Sequence, residues 1–527
     1  MAAIPRIDIT KLAVGIKKLE PLRQAVFRVP STDSYQSSSS TIVEMRTNIS
    51  LKTRGTPEQT VVKPTATLIV IPLVVLAAFS PWLAATDSMG AAFLIAAQLV
   101  VCSLGVARSF SSGTRPVALV YFMFTFAWLG IGPAYQVSHD QMAWRDYTIL
   151  ANESLVIRTL VLNVLATTMV FCGTEVQRHR QRSQKQPRVS IAKSKNGGAY
   201  LWCYLFGAVL LTPLAVRAAG GLSTMFESRA ARGNALANAG LSLAQAGGLQ
   251  VALVTILPSA LSIAGASLAG VRLRRNIRLG IVRPSDIIAL ALAVSLLFLF
   301  CNPFANSRFI TSLAFGSLII TLLRPTSIHA GRIFAFIALL GTAIIYPLAE
   351  IFRKGLDSAS SLRSGAQAFA SMDFDGFQQI ANAIVYVEDF GHGWGHYTAS
   401  ALFYFIPRSI WEGKATPASL DVAANHGYSF TNLSLPLPAE MYIEFGWMGM
   451  VVVLFMLGYL FSRIDDAWLQ GGVTSLGVLA PVMALSILGL VRGPLGSLAP
   501  VYLTTILLIL LAVAGRTETP HSRTRNA

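Results

Sequence analysis

The sequence predicts an all-α polytopic membrane protein: about twelve transmembrane helices and one large loop on the far side of the membrane. Three observations predict it. The chain of 527 residues is 53% hydrophobic and only 13% charged, where soluble proteins carry about 25% charged residues. Apolar runs of about 20 residues, the length that crosses a bilayer as a helix, recur along its length. Basic residues concentrate in alternate connections between those runs, as the positive-inside rule requires. The formal excess of 17 positive charges is thus a topological signal, and a nucleic-acid partner is not expected.

Residues 1–66 form a basic tail with ten Lys/Arg against five Asp/Glu. Its first part, Ile4 to Val26, is weakly amphipathic and suits either an anionic leaflet or plain solvation. No cleavable signal peptide is expected there. Helices are then predicted at 67–86, 90–107, 117–135, 154–173, 200–217, 248–270, 286–302, 308–323, 332–350, 440–462, 473–491 and 497–515. The division is therefore a cytoplasmic tail (1–66), nine helices (67–350), a large loop (351–439), three helices (440–515) and a second cytoplasmic tail (516–527). Arg108 and Arg115, seven Lys/Arg between Arg178 and Lys195, five between Arg272 and Arg283, then Arg324 and Arg332 fall on the inner side. Both termini fall there too. The four cysteines lie in apolar stretches and read as packed core thiols, and neither a disulfide framework nor a metal centre is expected.

Some arginines break the charge pattern. Arg158, Arg217, Arg308 and Arg492 each stand at the outer end of a predicted helix. Arg229 and Arg232 lie in the connection 218–247, and Arg353, Lys354, Arg408 and Lys414 in the large loop. Snorkelling to headgroups explains any one of them. As a set they suit an anion at headgroup depth, because guanidinium binds phosphate oxygens through paired, charge-assisted hydrogen bonds. No ionisable residue falls in the middle of a predicted span and no broken helix is expected, which disfavours a coupled carrier.

The large loop is too rich in Trp, Tyr, Phe and Gly to be disordered filler. A helix is expected at 376–388, capped by Asp373 or Asp375, with Phe377, Ile380 and Ile384 on one face. Gly391 to His396 follows, a flexible aromatic loop suited to touching sugar. His392 and His396 are four apart, but the glycines oppose a helix and no third ligand stands at a zinc-like spacing. Thr398 to Ile406 is apolar but too short to cross before Pro407. Glu440 and Glu444 share a face one turn apart. Helix capping accounts well for Glu440 and less well for Glu444.

Asn306-Ser307-Arg308, Ile406-Pro407-Arg408 with Trp411 and Lys414, and Glu440 with Phe445-Gly446 and Gly449 together resemble the O-antigen and capsule repeat-unit polymerases. Arg229 and Gly240 also fit an Arg-x10-Gly pattern of that group, whereas Arg353 reaches Gly365 one residue late. The resemblance implies a GT-C-like integral-membrane glycosyltransferase of the bacterial inner membrane, using neither metal nor other cofactor. It implies an undecaprenyl-pyrophosphate-linked oligosaccharide as substrate, membrane lipids as surroundings, and a chain-length regulator as protein partner. Glu440, Arg308 and Arg408 would be catalytic, while Arg229, Arg232, Lys414, Arg353, His396 and Trp411 would bind substrate. Two alternatives stay open: an O-antigen ligase, where Asn425-His426-Gly427 stands near a late helix, and a lipid-linked oligosaccharide flippase.

Overall fold

The computed structural model describes residues 64–144, 148–183, 197–239, 249–340, 365–430, 433–470 and 475–514, all within one compact unit, Val62–Ala527. The amphipathic stretch Ile4 to Val26, Gly240, Arg353, Lys354 and the C-terminal tail lie outside the described residues. Among the described residues every regular element is a helix.

Each of the twelve predicted apolar stretches carries a helix, the ninth as far as Leu340, with 341–350 outside the described residues. In chain order these are α1 Pro64–Ala84, α2 Met89–Arg108, α3 Pro116–Ser138, α4 Glu153–Ser183 and α5 Gly197–Ala218, then, after the short α6 Arg229–Asn238, α7 Ala252–Arg278, α8 Pro284–Phe300, α9 Arg308–Leu323 and α10 Ile328–Leu340. The loop contributes α11 Gly376–Phe390, α12 His396–Leu402 and α13 Ala418–Asn425; α14 Leu437–Leu469, α15 Ser475–Arg492 and α16 Leu495–Ala514 follow. Seven of them (α2, α3, α4, α5, α7, α14 and α16) are long and apolar enough to cross a membrane, and five more are apolar but shorter. Over its described residues the chain is an all-helical membrane protein.

The core follows from which helices have no outward face. α3 is buried throughout 116–122 and α7 throughout 258–270, so both are surrounded by other helices. α5 is peripheral, with Phe206, Val209, Leu210 and Leu214 outward. Cys203 is exposed on α5, so only Cys102 and Cys301 are the buried thiols that the sequence suggested, with Cys172 half-buried. The most extensive helix–helix contact among the described residues is α4 against α14. A side chain at Gly173 would run into the Phe455 carbonyl, and one at Gly458 into the Val170 carbonyl. Small residues let membrane helices approach in this way.

Charge separates to the two ends. At one end Arg115 pairs with Asp466 at 2.6 Å, and Arg178 and Arg108 share Glu175 at 2.5 and 2.7 Å. There Arg324 donates to the Trp468 carbonyl at 2.9 Å and Arg274 to the Leu322 carbonyl at 2.6 Å. Arg308, at the start of the same helix that Arg324 ends, belongs to the other end. So do Arg158, paired with Glu388, and Arg492.

One expectation about regularity is corrected. α14 is not a continuous rod, because Gly446 (φ 64°, ψ −164°) interrupts it. That conformation is essentially open to glycine alone. Helices α3, α7 and α9 also contain single wide turns, at Ala127–Ile131, Ala252–Ile256 and Ser312–Gly316. An apolar run fixes where a helix lies and says nothing about one residue of altered winding within it.

Candidate functional site

The site is built on Asp373, in a short turn before α11. Arg308 at the first position of α9 reaches its Oδ1 at 3.3 Å and Arg492 at the last turn of α15 reaches the same oxygen at 3.1 Å. Ser307 starts α9 by accepting from the Ile310 amide at 3.3 Å, which fixes where Arg308 leaves the backbone. An arginine at a helix N-terminus faces the positive end of the dipole. The arrangement is unfavourable unless an anion is close, and among the described residues Asp373 is the carboxylate that meets both guanidinium groups.

An aromatic wall holds the second arginine. The Arg492 guanidinium lies 4.8 Å from the centre of the Trp128 ring and 5.8 Å from that of Phe309. Trp128 stacks on Phe374 at 4.4 Å and on Phe124 at 5.1 Å. Trp128 sits in the wide turn of α3, and the wide turn of α9 begins four residues after Arg308. Such turns recur at functional sites.

Asp375 lies two residues from the shared carboxylate and is 1% exposed. Its Oδ2 accepts from the Trp144 indole at 3.2 Å and the Ser434 amide at 3.3 Å, while Oδ1 has no hydrogen-bond partner among the described residues. Burial pushes its carboxyl above the usual carboxylate range, with Arg492 pulling against the shift. The expected side-chain cap on α11 is not made: Oδ2 is spent on Trp144 and Ser434, and Oδ1 meets no amide of α11. The predicted apolar face of α11 is present, with Phe377, Ile380 and Ile384 buried.

The other predicted site residues divide into groups. Arg232, buried in α6, donates to Asn306 Oδ1 at 3.0 Å and so braces the turn before Arg308. Burial lowers the pKa of its guanidinium. Arg229, one turn earlier, is exposed. Lys414 donates to the carbonyls of Phe403, Tyr404 and Ile406 at 3.2, 2.6 and 2.9 Å. Its three protons are thus occupied, and burial, with Arg408 beside it, lowers its pKa. Arg408 donates to the Lys414 and Ala415 carbonyls, and His396 Nε2 to the Gly413 carbonyl at 2.7 Å, with Trp411 beside the imidazole. These four residues knit 396–415 into one folded loop. Arg353 lies outside the described residues.

Both glutamates cap helices, though not their own. Glu440, 1% exposed, accepts from the Leu495 amide at 2.8 Å and so caps α16. Glu444, completely buried, accepts from the Gly395 amide at 2.8 Å and from the Thr398 amide, and so caps α12. Beside it the carbonyls of Ile443 and Glu444, released by the break at Gly446, accept from Gly393 and Trp394 at 2.9 and 2.8 Å. The Gly391–His396 stretch is therefore pinned to α14, where a flexible loop was expected. Its two histidines are turned to different neighbours: His392 packs on Gly446 and His396 reaches Gly413.

Sequence reasoning included Arg492 among the misplaced arginines, without a site role. It missed Trp128 altogether, and treated Asp373 and Asp375 only as caps. No family model, curated protein or solved structure matches the chain.

Proposed function

We propose that this chain is a membrane glycosyltransferase that polymerises lipid-pyrophosphate-linked oligosaccharide units at the end of the helix bundle bearing Arg308 and Arg492. The observation that carries the reading is that pair, sharing one carboxylate at the N-terminus of α9. Two guanidinium groups and a helix N-terminus converge on one place, and these are the donors that bind pyrophosphate oxygens. Pyrophosphate is the leaving group of the transfer, so donors aimed at it stabilise charge that develops as the glycosidic bond breaks. The acceptor hydroxyl attacks the donor sugar's anomeric carbon, and its proton passes to a carboxylate. Asp375, two residues from the carboxylate that the arginine pair shares, is the first candidate for that base, and Glu440 is the second.

Arg232 supports the reading by bracing Asn306, and exposed Trp394, just before the folded loop 396–415, stands ready for a sugar face. The break in α14 favours a second reading, a flippase, because interrupted helices mark transport sites. Against it, the carbonyls freed at the break are already bound by Gly393 and Trp394. Purified protein mixed with lipid-linked repeat units separates the readings. Polymerase predicts a ladder of longer glycans still on lipid pyrophosphate, and ligase predicts transfer to a lipid A-core acceptor. Translocation across vesicles without chain growth would leave the flippase.

A further inference from the structure

At the opposite, arginine-rich end a cleft of about 320 Å³ opens between α4 and α14. We infer that it binds the phosphate headgroup of an anionic membrane phospholipid, with an acyl chain lying along α14. The inference is independent of the activity proposed above.

The lining is rich in hydrogen-bond donors. Gln177 and Arg180 come from α4, and Tyr459, Arg463, Asp466 and Gln470 from one face of α14. Arg180 donates to the Tyr459 hydroxyl at 3.0 Å, and Arg463 is exposed. The one acid does not cancel them. Asp466 Oδ1 is taken by Arg115 at 2.6 Å, and its Oδ2 accepts from Gln177 at 3.4 Å. Arg180 and Arg463 therefore leave the cleft positive, and guanidinium forks match phosphate oxygens.

Depth selects a lipid. Gln177 stands 24 residues after Glu153 at the start of α4, about 36 Å along the helix at ~1.5 Å per residue. That exceeds the ~30 Å hydrocarbon layer, so the cleft lies at headgroup level. An apolar track leads away from it: Met448, Val452, Met456 and Leu460 are 82%, 60%, 58% and 41% exposed. They follow each other at four-residue intervals, and Arg463 continues the same helical face. A free phosphate has no use for such a track. Basic pockets between membrane helices on the cytoplasmic side hold anionic headgroups.

The test is native mass spectrometry of the full chain in detergent, titrated with dioleoylphosphatidylglycerol, dioleoylphosphatidylcholine or inorganic phosphate. One phosphatidylglycerol should be retained, with phosphatidylcholine held at least about tenfold more weakly. The double variant Arg180→Gln/Arg463→Gln should lose about thirtyfold in affinity, as expected for two surface arginines. Leu460→Gln, which keeps both arginines, should also weaken lipid retention, while Arg182→Gln, on the same helix outside the cleft, should not. Less than a threefold change in both the double variant and Leu460→Gln would overturn the proposal, as would equal retention of the two lipids. Displacement of the lipid by millimolar phosphate would assign the cleft to a free anion and overturn the lipid.

Discussion

Arg308 and Arg492 approach one oxygen of Asp373 from different helices, so each is tested by the geometry it loses. Arg308→Ala should abolish chain extension while the protein still accumulates in the membrane, since the ion pair is only partly buried. Arg308→Lys should rescue poorly, because an ammonium is a point charge without the planar fork; full activity with Lys would reduce the requirement to charge alone. Asp375 carries the pH dependence. Its folded carboxyl titrates above the unfolded one, so the folded state holds the proton more tightly. Its contribution to stability is therefore greatest at low pH and declines as pH rises through the folded pKa. Acting as base, it needs the ionised form, so turnover should climb over the same interval. Asp375→Asn should cut turnover by about 10²–10⁴-fold, remove that ascending limb and make the melting temperature less sensitive to pH. Turnover within threefold of the parent would remove Asp375 and leave Glu440. Glu440→Gln and Glu440→Ala separate capping from catalysis in the same assay: Gln keeps an oxygen for the Leu495 amide, so melting intact with turnover stopped marks a base, whereas Ala removes the cap on α16 and costs about 0.5–2 kcal/mol of stability.

The elements show where sequence reasoning reached and where it ended. All twelve helix positions were legible because each needs only a contiguous apolar run, a property local to its own segment. The roles of Glu440 and Glu444 were not legible. Each caps a helix about fifty residues away in the chain, α16 at Leu495 and α12 at Gly395, and no local pattern records such a partner. Lys414 misled for the same reason, since a lone cation near a helix end looks alike whether it awaits a phosphate or closes a loop on three carbonyls. The break at Gly446 had one visible sign, a glycine in an apolar helix, which is also how close packing looks at Gly458. Substitution tells the two apart. Gly446→Ala puts a Cβ at positive φ and 3.1 Å from His392 Nε2, a strain of about 1–3 kcal/mol. It should also loosen the Gly391–His396 loop, read as faster proteolysis after Phe390. Gly458→Val should instead part α14 from α4 and lower the melting temperature without exposing that loop. Matching proteolysis patterns in the two variants would contradict the separate roles.

Over the whole molecule the two ends differ in what their arginines do. At one end Arg108, Arg115, Arg178, Arg274 and Arg324 are spent on carboxylates and helix-terminal carbonyls, the dispositions of a bundle anchored on its basic side. At the other, Arg308 and Arg492 meet on Asp373. If the positive-inside bias sets orientation, the first end faces the cytoplasm and the loop faces outward, where lipid-linked glycans are assembled in the proposed reaction. Single cysteines read this directly. In a Cys203→Ser background, which removes the exposed native thiol of α5, Ser409→Cys and Ser429→Cys stand on exposed positions of the loop. Both should react with a membrane-impermeant thiol reagent in intact spheroplasts. Ser183→Cys, exposed at the far end of α4, should react only after permeabilisation. The reverse pattern would turn the bundle over and put Arg308 and Arg492 on the cytoplasmic side. The pair would then face nucleotide-linked sugars as well as lipid-linked ones, and the polymerisation reading would lose its argument from location.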